Sequence, residues 1–156
     1  MTDRRQELHG AITAARSDAL EAVSGLGPDQ LARTTANEGW SVKDVLAHLS
    51  SIEARLRSMC EYGLDGRQWP ADDGDVNAYN ARCVAERRSW SGPALVAELE
   101  QSGGESLGLL ERLAPEDLDR TFNHPTRGMV TIETLMWIIP RHLRAHTEEI
   151  KAALAG

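Results

Sequence analysis

The sequence predicts an all-α protein, a four-helix bundle. Two observations carry this: apolar residues recur at three- and four-residue spacing almost throughout, and no segment sustains the alternation of a strand. A third sets the count, since clusters of Gly and Pro cut the chain into four long helices and some shorter pieces.

The first helix is expected over residues 3–24, with Leu8, Ile12, Ala15, Ala19 and Val23 on one face. Gly25-Leu26-Gly27-Pro28 stops it. After a connector through Gly39 and Trp40, Ser41 and Asp44 have the spacing of a capping box, with Asp in place of the usual Glu or Gln, and open a second helix. Its apolar stripe is Val42, Val45, Leu49, Ile52, Leu56 and Met59, and it ends near residues 63–66. Residues 65–75, rich in Asp, Gly and Pro, read as a loop over one end of the bundle. Asp75 is placed to cap a third helix over 76–89. Ser91-Gly92-Pro93 restarts the chain as a fourth helix through Leu113, weakened by Gly103-Gly104. Residues 114–130 carry Pro115, Pro125 and Gly128 and separate the fourth helix from the last, which Thr131 opens and which reaches about Leu154. Pro140 lies inside that helix and is expected to kink it at the Met136 carbonyl.

A chain of 156 residues fits one domain over 1–156, and burying roughly 70% of the surface exposed when unfolded gives it a real core. Lys and Arg total 17 against 24 Asp and Glu, for a formal net charge of −7. An acidic, mixed surface repels phosphate backbones and anionic membranes, and no basic patch interleaved with aromatics is present, so neither nucleic acid nor membrane is an expected partner. No signal-peptide pattern and no run of 18 apolar residues occurs, and Cys60 and Cys83 share no ligand spacing and fall in predicted helices. A cytoplasmic protein with two buried, reduced thiols follows as the expectation.

The chemistry concentrates in three histidines. His142 and His146 are four residues apart on the last helix, where the stripe Ile132, Leu135, Ile139, His142, His146, Ile150 and Ala153 is expected to face inward. His48 lies between Val45 and Ile52 on the stripe of the second helix. Unpartnered buried imidazoles cost roughly 1–3 kcal/mol each, whereas one divalent cation satisfies a nitrogen on every ring. The expected site is therefore a mononuclear metal with His48, His142 and His146 as ligands. Three protein nitrogens leave a fourth position for water or substrate, the pattern of a catalytic zinc-type site. Leu143 stands where a His-Glu-x-x-His metalloprotease needs its glutamate, and no Glu-x-x-His of the ferritin-like di-iron bundles occurs. His9 is expected to face solvent, and His124 to be a structural loop residue or, alternatively, a pocket edge.

The segment 39–49, with Gly39, Trp40, Ala47 and His48, followed by Gly128-Met129-Val130-Thr131-Ile132 and then His142-Leu143-Arg144-Ala145-His146, resembles the DinB/YfiT-like superfamily over nearly the whole chain. Residues 75–80 look, more loosely, like the start of the third helix in the branch of the mycothiol-dependent maleylpyruvate isomerase. The resemblance implies a four-helix bundle, a homodimer, and a divalent cation, zinc or nickel, on the same three histidines. The isomerase branch has an acidic residue at the place of His142, so the all-histidine set looks more like the bacillithiol-transferase type. The chain ends at Gly156, without the length for that isomerase's C-terminal domain.

Members of the family mostly activate a low-molecular-weight thiol, so the resemblance implies a thiol S-transferase or related detoxifying enzyme acting on a small electrophile, with mycothiol or bacillithiol as co-substrate. A metal-bound thiol is a thiolate near neutral pH, which is the physical basis of such chemistry. Asp44 or Glu149, each one turn from a ligand, would orient it, or else lie at the surface; Trp40 would wall the pocket or plug the bundle end. The alternative is a non-catalytic bundle that binds a small molecule, its metal structural or absent; the lack of a general base near the triad favours it.

Overall fold

The computed structural model describes residues 3–37, 39–70 and 75–156. Among them the long helices are α1 (Arg4–Val23), α3 (Val42–Leu64), α5 (Gly92–Arg112) and α6 (Ile132–Ala155), with a single-turn α2 (Pro28–Leu31) and a shorter α4 (Val76–Glu86) between them. α1 packs on α5 and α6, and α3 packs on the same two. The first two long helices therefore sit diagonally in a four-helix bundle, and α4 lies against the outside of α3.

Side chains cap the helices, at Ser41, Asp75 and Thr131 as the sequence signals and at Asp3 and Ser91 besides. Asp3 Oδ1 accepts from Arg5 N at 2.9 Å, Asp75 Oδ1 from Ala78 N at 3.1 Å, Ser91 Oγ from Ala94 N at 3.2 Å and Thr131 Oγ1 from Thr134 N at 3.1 Å. At α3 the box is reciprocal: Ser41 Oγ accepts from Asp44 N at 3.2 Å, and Asp44 Oδ2 accepts from Ser41 N at 3.1 Å. Each satisfies a helix-end donor that would otherwise be left unpaired. The stripes expected on α1 and α3 are buried at every position. α4 ends three residues before its expected limit, where Arg87 turns back to donate to Cys83 O at 3.0 Å. α5 runs unbroken through its glycine pair, and Arg16 of α1 fills the space where a Gly103 side chain would lie. α6 remains helical through Pro140, which is buried.

Between α5 and α6 a 3-10 turn (Pro115–Asp119) leads into an antiparallel hairpin of β1 (Thr121–His124) and β2 (Gly128–Thr131), closed by residues 125–127, with Gly128 at φ +74°. Phe122 is buried, and β1 lies against the C-terminal end of α3, where Gly63 permits close approach: a Cβ there would meet Ile132 Cδ1 at 2.7 Å and Phe122 Cβ at 3.2 Å. Of the connector expected at 65–75, residues 71–74 lie outside the described residues. Trp69 holds its first part down, edge-on to Tyr62 and Phe122 with ring centroids 5.0 and 6.1 Å away.

The seam between α3 and α5 is polar. Ser106 Oγ donates to the buried Glu53 at 2.6 Å, and Arg57 donates to Ser102 O at 2.9 Å. Both cysteines are free and buried. Among the described residues no helix is long and apolar enough to cross a membrane.

Candidate metal centre

His48 stands in the second turn of α3 and is 3% exposed, while His142 and His146 project from the facing side of α6 and are half-buried. The three rings meet at their Nε2 atoms. His48 Nε2 lies 2.9 Å from His142 Nε2, and His146 Nε2 lies 3.1 Å from the same atom. One ring nitrogen from each residue falls within 4.8 Å of the others, the one such grouping of three metal-binding side chains among the described residues.

The position of the pair on α6 differs from the expected stripe. The core face of this helix runs through Ile132, Leu135, Met136, Ile139, Leu143, Thr147 and Ile150, so His142 and His146 lie on its flank, each one residue ahead of a core position. One residue is about 100° of helix rotation, which turns the imidazoles off the bundle axis and toward α3.

Glu149 is the partner that orients the site. Its Oε2 lies 2.6 Å from His146 Nδ1, so the carboxylate accepts a proton held on Nδ1 and leaves the Nε2 lone pair free. Asp44 has no such role, because its carboxylate is taken by the Ser41 amide three residues back. Trp40 packs tilted against His48 with ring centroids 5.0 Å apart, and it backs that ring rather than lining the cavity described below. His48 Nδ1 is buried with no hydrogen-bond partner among the described residues.

Burial, and secondarily the neighbouring imidazoles, pushes His48 down to about 4 and His142 to about 3. Both rings are neutral at physiological pH, with lone pairs to offer. Three nitrogen lone pairs converging on one point repel unless a proton or a cation sits between them. In a tetrahedral zinc site with bonds of 2.0–2.1 Å the ligand atoms are about 3.3 Å apart; here His142 Nε2 lies 2.9 and 3.1 Å from the other two, and all three nitrogens lie within 4.8 Å of one another. The all-nitrogen donor set suits zinc, nickel, iron and copper alike. The residues therefore fit a divalent ion.

A cavity of about 220 Å³ opens from this point. His48 and His142 form its inner end, Ile52, Leu56, Met59 and Ile138 its apolar walls, and Arg55, Asn80, His124 and Arg127 its polar part. His146 is not on its surface, so ligand approach is from the His48 and His142 side. His124 ends β1 and combines both roles considered for it: its Nδ1 accepts from Thr126 N and Arg127 N, each at 3.2 Å, and the residue lines the cavity. Arg55, Asn80 and Arg127 come from α3, α4 and the hairpin turn, and no spacing in the sequence links them. His9, at the other side of the bundle, is half-exposed beside Glu111, its Nε2 3.6 Å from the carboxylate.

A sequence profile of the DinB superfamily matches residues 11–150. A protein of Bacillus mycoides (strain KBAB4) named "Putative metal-dependent hydrolase" is 25% identical over 136 residues, 86% of this chain and 76% of its own length. Among solved structures, the mycothiol-dependent maleylpyruvate isomerase superposes with a TM-score of 0.79 at 15% identity, over 96% of this chain but 63% of the isomerase, so this chain spans less than two thirds of that protein. YfiT of Bacillus subtilis, described as a probable metal-dependent hydrolase with an unusual four-helix bundle topology, has a TM-score of 0.71 at 18% identity over 99% of this chain and 90% of its own. The colibactin self-resistance protein ClbS, solved with double-stranded DNA, has a TM-score of 0.76 at 13% identity over 96% and 94%.

Proposed function

The chain belongs to the DinB superfamily, and from that premise we propose that it is a divalent-metal-dependent enzyme that transfers a low-molecular-weight thiol, such as mycothiol or bacillithiol, to a small electrophile. The observation that carries the reading is the meeting of three Nε2 atoms at the inner end of an open cavity, with Glu149 fixing the proton of His146 on the far nitrogen. His48, His142 and His146 would hold zinc or nickel. The ion, when bound, supplies a positive charge that keeps a thiol as its thiolate near neutral pH. The protein's own part is to present neutral imidazoles, hold their orientation through Glu149 and Trp40, and shield the reacting centre with the apolar walls of the cavity.

A second reading, hydrolysis by a metal-activated water, is favoured by the names of the Bacillus relative and of YfiT. Small molecules are the proposed substrates in both. Although ClbS was solved with DNA, 24 acidic against 17 basic residues here favour a small ligand over a phosphate backbone. A single-domain, cytoplasmic homodimer is part of the same proposal, and sedimentation equilibrium tests the dimer.

The test combines elemental analysis with activity. About one zinc or nickel ion per chain is expected in the parent, and none in a folded variant carrying His48→Ala, His142→Ala and His146→Ala. Loaded protein should conjugate mycothiol or bacillithiol to a fluorogenic electrophile faster than the variant does. If it instead cleaves activated esters without a thiol, the hydrolytic reading replaces the transferase. A parent that takes up no metal refutes both.

A further inference from the structure

The described lining of the cavity differs in composition from the chain as a whole. Acidic residues outnumber basic ones 24 to 17 in the sequence, yet no Asp or Glu lines the cavity among the described residues, whereas two arginines do. Arg55 is buried, its guanidinium carbon 4.6 Å from the Tyr79 ring centroid and 5.3 Å from that of Trp69, so it stacks on both rings. Arg127, at the hairpin turn, is exposed and makes no ion pair with any described residue.

His124 links the two. With its Nδ1 accepting two backbone N–H groups of the turn, a neutral ring must carry its proton on Nε2, which makes that atom a hydrogen-bond donor. Burial holds the ring's pKa below its ordinary value, with Arg127 and then Arg55 adding to the effect, so both guanidinium groups act on it electrostatically. Asn80 adds a side-chain amide from α4. Arginine and a neutral imidazole N–H are together a donor pair for an oxyanion, and a planar guanidinium pairs with carboxylate or phosphate through two parallel bonds.

We infer that the outer part of this cavity binds the oxyanion head, carboxylate or phosphate, of a small organic acid through Arg127 and His124. The apolar body of the ligand then runs along Ile52, Leu56 and Met59 toward His48 and His142. A volume of about 220 Å³ is below the roughly 300–1,000 Å³ of drug-sized sites, so the part of this ligand held inside the cavity is a short chain or one ring. The inference rests on the reading that this cavity is the substrate site, and it adds the chemical class of the substrate.

The test uses four probes with the same six-carbon body, hexanoate, hexyl phosphate, 1-hexanol and hexylamine, titrated calorimetrically into zinc-loaded and chelator-treated protein. Imidazole ¹⁵N signals report whether His124 is contacted. At least one anion should bind saturably with and without zinc and shift the His124 signals, while hexanol and hexylamine bind at least about tenfold more weakly. Loss of an exposed charge-assisted bond in Arg127→Gln should weaken the anion about five- to tenfold and leave hexanol unchanged. The tighter of the two anions assigns the head group. Anion binding that needs zinc and ignores Arg127→Gln would place the head on the metal and overturn the inference, as would hexanol binding as tightly as the anions, or no saturable anion binding. If the protein takes up no zinc, the metal reading fails, and the chelator-treated titration still decides this one.

Discussion

Glu149 and Asp44 compete on sequence grounds for the same task, and the structure separates them into a prediction. Glu149 Oε2 stands 2.6 Å from His146 Nδ1, a charge-assisted hydrogen bond that fixes the tautomer and the orientation of the ring. Partners of this kind are worth about 10- to 100-fold in metal affinity. Because the Glu149 side chain is 28% exposed and therefore partly screened, the lower end applies: Glu149→Gln should weaken zinc binding about tenfold, or about 1.4 kcal/mol. Competition for zinc against a chromophoric chelator measures this directly, with thermal unfolding of the metal-free proteins as the control for fold. Asp44→Asn is the contrasting variant. It weakens the cap at the Ser41 amide, so it should lower stability by about 1 kcal/mol and leave zinc affinity unchanged. Equal zinc affinity in parent and Glu149→Gln, or a larger loss in Asp44→Asn, would refute the assignment of His146 to a carboxylate-held tautomer.

Three further perturbations follow from the packing and charge of the bundle. Gly63→Ala puts a methyl 2.7 Å from Ile132 Cδ1; overpacking of about 1–3 kcal/mol, less the 0.5–1 kcal/mol that alanine gains over glycine in a helix, leaves a net loss of about 0.5–2 kcal/mol in urea denaturation. Leu143→Ala removes a core side chain that is 2% exposed and should cost about 2–5 kcal/mol by the same assay, yet leave one zinc per folded chain, since Leu143 is not among the converging ligands. Burial alone would raise the Glu98 carboxyl, but Arg87 and Ser50 together hold it below its ordinary 4.5. Its stabilising contribution is thus complete above pH 4.5 and is lost as the pH falls through the lower folded value. Glu98→Gln should accordingly be about 1–2 kcal/mol less stable at pH 7, the gap closing in urea titrations run at progressively lower pH.

What could be read from the sequence is what local periodicity and local hydrogen bonding decide. Every residue of the α1 and α3 stripes is buried because one helix face must meet the core whatever the partner, and the Ser and Thr caps serve backbone donors within three residues of themselves. Asp44 shows the limit of pattern: its spacing suits both a cap and a histidine partner, and the amide three residues away wins because that geometry comes with the helix itself. The hairpin escapes notice because its strands have four residues each and Phe122 is its one buried side chain, too little alternation for a strand signal. It forms because Gly63 of α3 gives Phe122 somewhere to pack, a fact held 59 residues earlier in the chain. Arg55, Asn80 and Arg127 are hidden for the same reason: three elements, each unremarkable in its own window, share a cavity only after the bundle closes.

The displacement of His142 and His146 from the centre of their helix face is what allows a site to exist there. At the positions of Leu143 and Thr147, 2% and 1% exposed, imidazoles would be enclosed by the four-helix core, remote from any opening. One residue earlier, the same i, i+4 spacing is kept, so both rings still reach a common point. The rotation of about 100° brings His142 to the boundary between α6 and α3, where it meets His48 on one side and the cavity on the other. Leu143 and Thr147 meanwhile continue the core, Thr147 by returning its hydroxyl to the Leu143 carbonyl at 2.6 Å. Packing and chemistry thus divide one helix face by angle, and a buried stripe that runs on beside a histidine pair, here through Leu143 and Thr147, leaves the pair to face the crevice rather than the core.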